Sequence, residues 1–155
     1  MSHAPLFTIG YEQVPASAVL DTLQGAGVTL LVDVRAVAAS RRPGFSKSQL
    51  AAGVASRGIG YLHLRGLGTP AEGRLASRSG KFDEMRRIYE AHLETPEARE
   101  ELDSLTSLVT SSASPATFCL LCYERHPEHC HRSIIANLIC ERVGIEVRHL
   151  AAPPV

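Results

Sequence analysis

The densest run of reactive side chains lies between Cys122 and Arg132, where eleven positions hold two cysteines, three histidines, two glutamates and two arginines. Cys130 falls at the start of a helix expected from His131 to Val143. Backbone N–H groups at a helix N-terminus are unpaired, and the helix dipole favours negative charge there. A cysteine in that place, followed by His131 and Arg132, can ionise and act as a nucleophile. The same residue type is as readily a small packed side chain. Cys122 and Cys130, with His126, His129 and His131, also offer donors that zinc accepts. Their spacing matches no standard structural set, so no metal and no cofactor is assigned. Phosphatase and rhodanese loops place a cysteine at a strand end, and the phosphatases add an arginine six positions later. Glu128 occupies that position after Cys122, which excludes the standard form.

Other strand ends carry polar residues too. Glu12 and Glu124 could transfer protons if partly desolvated, or could be ordinary surface carboxylates. Asp33 and Arg35 stand two apart and share one face of a strand. They are read either as a polar pair facing a site or as an ion pair tying strand to loop. Arg41, Arg42 and Lys47 surround Pro43-Gly44-Phe45-Ser46 at a helix start, which suits an anion or phosphate. A solvated basic loop is the plainer reading. Arg65, Arg74, Arg78 and Lys81 continue the positive character. Tyr11, Phe45 and Tyr61 could stack on bases, although three scattered aromatics argue weakly for it. Neither a G-K-[ST] phosphate loop nor a G-x-G-x-x-G fingerprint occurs.

The elements that must position these groups alternate strand and helix. Leu6–Gly10 reads as a strand, Pro15–Gln24 as a helix, and Val28–Val34 as a strand buried on both faces. Ser46 with Gln49 forms a capping-box signature for a helix reaching Arg57. Ile59–Leu64 is a third strand, and 66–80 a long polar loop of a length that is usually functional or mobile. Helices are expected over Phe82–Leu93 and from Pro96 to about Val109. Ser111–Pro115 reads as a linker. Thr117–Tyr123 is the strongest strand, and Glu146–Leu150 the last. A strand puts Cys119 and Cys122 on opposite faces, so their C-x-x-C spacing is not a redox motif. Cys119 and Cys140 read as core residues.

This order predicts one α/β domain over residues 1–155. It is a Rossmann-like three-layer sandwich, a mostly parallel sheet of about five strands with helices on both faces. In such sheets ligands bind beyond the carboxyl ends of the strands. The 155 residues, 45% hydrophobic, suffice for a core without staples. No stretch reaches the roughly 18–20 apolar residues of a membrane span, and no secretion signal opens the chain. A cytoplasmic protein is expected, without structural disulfides. The net charge of zero argues against a general nucleic-acid coat. It conceals nine Lys/Arg against four Asp/Glu over residues 1–81, and seven against twelve afterwards.

Four stretches resemble the family catalogued as domain of unknown function 488. They are Thr8–Glu12; Asp33–Arg35 with Ser40-Arg41 and Pro43–Phe45; Tyr61–Leu64 with Leu67-Gly68; and Cys122–Glu124 with Cys130–Ser133. The chain departs from the family pattern in lacking a proline between Arg35 and Ser40. The resemblance implies a small α/β protein whose signature lies on the strand-end loops, and it supplies no activity. The resulting expectation is an enzyme acting on an anionic, phosphate-bearing substrate, a nucleotide or nucleic acid. Its catalytic candidates are Glu12, Asp33, Glu124 and Cys130. Tyr11, Arg35, Ser40, Arg41, Phe45, His63, Cys122, His131 and Arg132 would hold substrate. The alternatives are a non-catalytic module binding nucleic acid or a metal, and thiol or sulfur-transfer chemistry at Cys130.

Overall fold

The computed structural model describes residues 4–111 and 116–154. Five strands form one sheet: β1 (Leu6–Gly10), β2 (Leu30–Asp33), β3 (Gly60–His63), β4 (Phe118–Cys122) and β5 (Val147–Leu150). Their order is β3-β2-β4-β1-β5, and every pairing is parallel. The expected mostly parallel sheet is thus wholly parallel. β1 and β4 are buried at every position, as strands covered on both faces must be.

Alternation along the strands divides the interior into two cores. Phe7, Ile9, Leu31, Cys119 and Leu121 face α1 (Ala16–Gly25) and α2 (Lys47–Ala55). Leu6, Val32, Phe118, Leu120 and Cys122 face the other layer. That layer comprises α3 (Ala71–Arg78), α4 (Phe82–His92), α5 (Pro96–Thr110) and α6 (His131–Val143). Cys119 and Cys122 therefore point into different cores, as the period of a strand requires. Cys140 is only half-buried on α6.

The topology makes a crevice. β1 and β2 send their helices to one face of the sheet, while β4, which lies between them, sends α6 to the other. The loop after β4 therefore parts from its two neighbours, and ligands enter α/β sheets at such points.

Two expectations change. Residues 66–80 are not an irregular loop, since they contain a 3-10 turn, Arg65–Leu67, and then α3. The buried side of α3 consists of Gly73 and Ala76, and Leu75 is exposed. Such small contacts leave no apolar stripe in the sequence. Ser46 does precede α2, but its side chain makes no cap, and Gln49 Oε1 instead accepts from Gly44 N at 2.9 Å. Most of the expected linker, 112–115, lies outside the described residues.

Two glycines allow the loops to close in. A Cβ at Gly10 would overlap the Glu124 carbonyl oxygen, and one at Gly68 would overlap the Ala36 backbone. Neither obstacle is a movable side chain. Gly10→Ala is expected to lower the urea unfolding free energy by roughly 2–3 kcal/mol. Gly25→Ala, where a Cβ meets open space, should change it by under about 0.5 kcal/mol. Equal losses in the two variants would remove the close approach as the explanation.

Candidate functional site

The floor of the site is built where β4 ends and α6 begins. Cys122 closes β4 facing α6, and a 3-10 turn at Pro127–His129 brings Cys130 back as the residue preceding the helix. His131 Nδ1 lies 3.6 Å from Cys122 Sγ and 3.8 Å from Cys130 Sγ. Its Nε2 donates to the Val34 carbonyl at 2.7 Å, and Tyr89 meets the ring edge-on. The ring is thereby fixed with Nδ1 towards both sulfurs. All three residues are buried. Burial alone would raise the Cys130 pKa, but the Cys122 hydrogen bond, His131 and Arg132 outweigh it and hold Cys130 well below the usual thiol range. Cys122, through its interaction with Cys130 and its own burial, is pushed well above that range.

Arg132 and Glu12 shape the loop rather than line the cavity. Arg132 is fully buried and its Nη1 donates to the Glu124 carbonyl at 2.6 Å. Among the described residues its Nε finds no partner. Glu12 Oε1 accepts from Arg125 N at 3.0 Å, and Glu12 N donates to the Tyr123 carbonyl. The loop after β1 thus clasps the loop after β4. The Glu124 side chain is half-buried. Burial pushes its carboxyl up, Cys130 and Glu12 add to this, and Ser77 and Arg132 oppose it.

Asp33 and Arg35 resolve as the strand-to-loop ion pair. Asp33 is fully buried. Its Oδ1 accepts from Arg35 Nε at 2.9 Å, and its Oδ2 accepts from Arg35 Nη2 at 2.7 Å and from the Tyr61 hydroxyl. Arg35 Nη1 donates to the Tyr11 hydroxyl at 3.1 Å and to the Phe45 carbonyl at 2.7 Å. Four of the five guanidinium N–H groups are therefore committed within the protein. Burial, and then Asp33, push the Tyr61 hydroxyl far up. The Tyr11 and Phe45 rings stack on each other at 4.3 Å. Arg42 lies over both rings and donates to the Tyr11 and Val14 carbonyls.

Ser40 Oγ accepts from Arg42 N at 3.1 Å, while Arg41 is exposed away from the cavity. His63 makes a 2.8 Å hydrogen bond between its Nε2 and the Arg35 carbonyl, and it faces a neighbouring groove.

A cavity of about 230 Å³ opens above the sulfurs. Of the sequence-derived candidates it gathers Tyr11, Arg35, Cys122, Glu124, Cys130 and His131. Glu12, Asp33, Ser40, Arg41, Phe45, His63 and Arg132 lie outside its lining. It also recruits Arg74, Ser77 and Arg78 from one side of α3, with Tyr123 and Val37 exposed at its mouth. The sequence signal for the two arginines was their i, i+4 spacing, which is legible only once 71–78 is helical.

The fold and the cavity define the class: a three-layer parallel α/β protein with a thiol–imidazole cluster at the carboxyl edge of its sheet. A family model described as "Domain of unknown function DUF488" matches residues 15–139, and the chain belongs to that family. No curated protein and no solved structure matches it.

Removing one partner of a buried ion pair leaves the other charge uncompensated. Arg35→Met is expected to cost about 3–5 kcal/mol in chemical denaturation, and Asp33→Asn combined with Arg35→Met should recover part of that loss. A double variant no more stable than Arg35→Met alone would show that the stranded carboxylate is not the cause.

Proposed function

We propose that the protein is an enzyme acting on a small anionic, phosphate-bearing substrate bound in this cavity. The observation that carries the proposal is convergence. Arg74 and Arg78, one helical turn apart on α3, share the cavity with the Cys122–Cys130–His131 cluster and with Glu124, the one carboxylate of its lining. Charges of both signs, thiols and an imidazole around one enclosed space suit a site of chemistry.

The cations that hold substrate in this reading differ from those the sequence suggested. Arg35 and Arg132 are occupied inside the protein, and Arg41 faces away. Arg74 gives one N–H to the Thr69 carbonyl at 2.8 Å and keeps others. The cavity volume of about 230 Å³ falls below the roughly 300 Å³ at which sites for whole drug-sized ligands begin. It suits a phosphate with a short attached group, or one terminal group of a nucleotide or nucleic acid. The exposed Tyr123 and Val37 would flank the remainder. Glu124 would exchange a proton with the bound group, because among the described residues no other carboxylate lines the space. A cytoplasmic setting is part of the proposal, supported by four cysteines of which none is in a disulfide. Among the described residues no helix is long and apolar enough to cross a membrane.

Inorganic phosphate and adenosine monophosphate, titrated by calorimetry, test the anion. Each charge-assisted hydrogen bond contributes about 1.5–3 kcal/mol. Arg74→Ala and Arg78→Ala should therefore each weaken binding by about tenfold or more, while Arg41→Ala leaves it unchanged. Saturating anion should also raise the melting temperature of the wild type. Absence of both heat and stabilisation defeats the proposal.

A further inference from the structure

We propose that Cys122, Cys130 and His131 form a three-ligand site for a divalent transition metal of the zinc type, with the fourth coordination position open to the cavity. The geometry carries this. Zn–S bonds of about 2.3 Å and Zn–N bonds of about 2.05 Å at tetrahedral angles place sulfur and nitrogen about 3.6 Å apart. The two Sγ–Nδ1 separations here are 3.6 and 3.8 Å. All three donor atoms lie within 4.8 Å of one another, and all three residues are buried. The two sulfur–nitrogen edges of the tetrahedron are thus already in place before any ion is added.

The support behind the ligands is that of a metal site. A ligating imidazole characteristically donates its other N–H to a carbonyl or carboxylate, which fixes its tautomer. Here Nε2–H donates to the Val34 carbonyl, so the neutral ring that metal binding requires would present its Nδ1 lone pair to the space between the sulfurs. Two thiolates balance a divalent cation, so the loaded centre is neutral, as burial demands. A thiolate–imidazole donor set favours zinc over hard cations such as magnesium or calcium.

Of the three histidines in the segment, only His131 supplies such a donor. The His129 ring stacks on Phe82 at 3.9 Å, and His126 is exposed. A closed structural site needs a fourth protein ligand, and a catalytic one leaves that position to water or substrate. The cluster has three protein donors and lines the cavity. The fourth position therefore falls to water or to the anion proposed above. The inference deepens that reading by placing the metal and the anion in one cavity, and it is measured without the anion.

Protein purified without chelator should carry one equivalent of zinc per chain by mass spectrometric metal analysis. The reduced, metal-free chain should bind one equivalent of cobalt(II), with tetrahedral visible bands and near-ultraviolet thiolate-to-cobalt charge transfer. Cys122→Ser, Cys130→Ser and His131→Ala should each weaken cobalt binding by about 100-fold or more, and Cys140→Ala should not. Wild-type protein that is folded and reduced, yet shows neither stoichiometric metal nor charge transfer, overturns the site whatever the variants do. The anion is scored separately. Phosphate that stabilises wild-type protein lacking charge transfer leaves the anion reading and removes the metal. Charge transfer that persists in the Arg74→Ala, Arg78→Ala double variant, with phosphate binding lost, supports the metal as an independent centre.

Discussion

An ionised carboxylate enclosed at the end of a central strand costs several kcal/mol unless its charge and lone pairs are met. Asp33 is such a carboxylate, and the rim of this protein is arranged to meet it. Arg35 reaches back from the loop after β2, and Tyr61 reaches across from β3. The remaining Arg35 donors draw in Tyr11 from the end of β1 and the carbonyl of Phe45 from the approach to α2. One buried charge thereby ties together β3, the loop after β2 and the end of β1. The ends of β1 and β2 become rigid walls, and the backbone of Val34 is held where His131 can use it.

The loop after β4 has its own anchor. Gly10 lacks a side chain, so the Glu124 carbonyl can approach β1. The buried Arg132 guanidinium takes that same carbonyl from the other side. Glu12 holds the next amide. Glu124 is therefore held at the backbone while its side chain projects to the cavity. Cys130 and His131 return towards Cys122 because the Pro127–His129 turn is short and Phe82 stacks on His129.

These two anchors separate the cations by task. Arg35, Arg42 and Arg132 hydrogen-bond backbone carbonyls or Asp33 and stabilise loops. Arg74 and Arg78 lie on a helix whose contacts are small residues, with side chains directed to the cavity. Of the structural arginines, Arg132 adds positive charge near the sulfurs from outside the lining, and Arg35 reaches the lining with most of its donors already committed, while those on α3 are the ones a ligand could meet. The Cys122–Cys130–His131 cluster lies between these groups.

The layer order was legible in the sequence because burial leaves periodic traces. Uninterrupted apolar runs, such as Phe118 to Cys122 in β4, mark strands covered on both faces, and glycines such as Gly144 mark helix ends. The segment from Cys122 to Arg132 stood out in the sequence as a candidate site because its residue types are rare in company. The sequence left the Asp33–Arg35 pair with two readings, and the structure pairs the two residues with each other. Which role it takes was decided by Tyr11, Phe45 and Tyr61, which lie 24, 10 and 28 positions from their partners. Helix α3 was hidden for a different reason: Gly73 and Ala76 pack closely on α4 and leave no hydrophobic period. Sequence determined the elements and the chemical character of the site, since both follow from local pattern. Tertiary structure alone decided which arginines are spent inside and which thiols and imidazole meet, because those outcomes depend on distances between residues far apart in the chain.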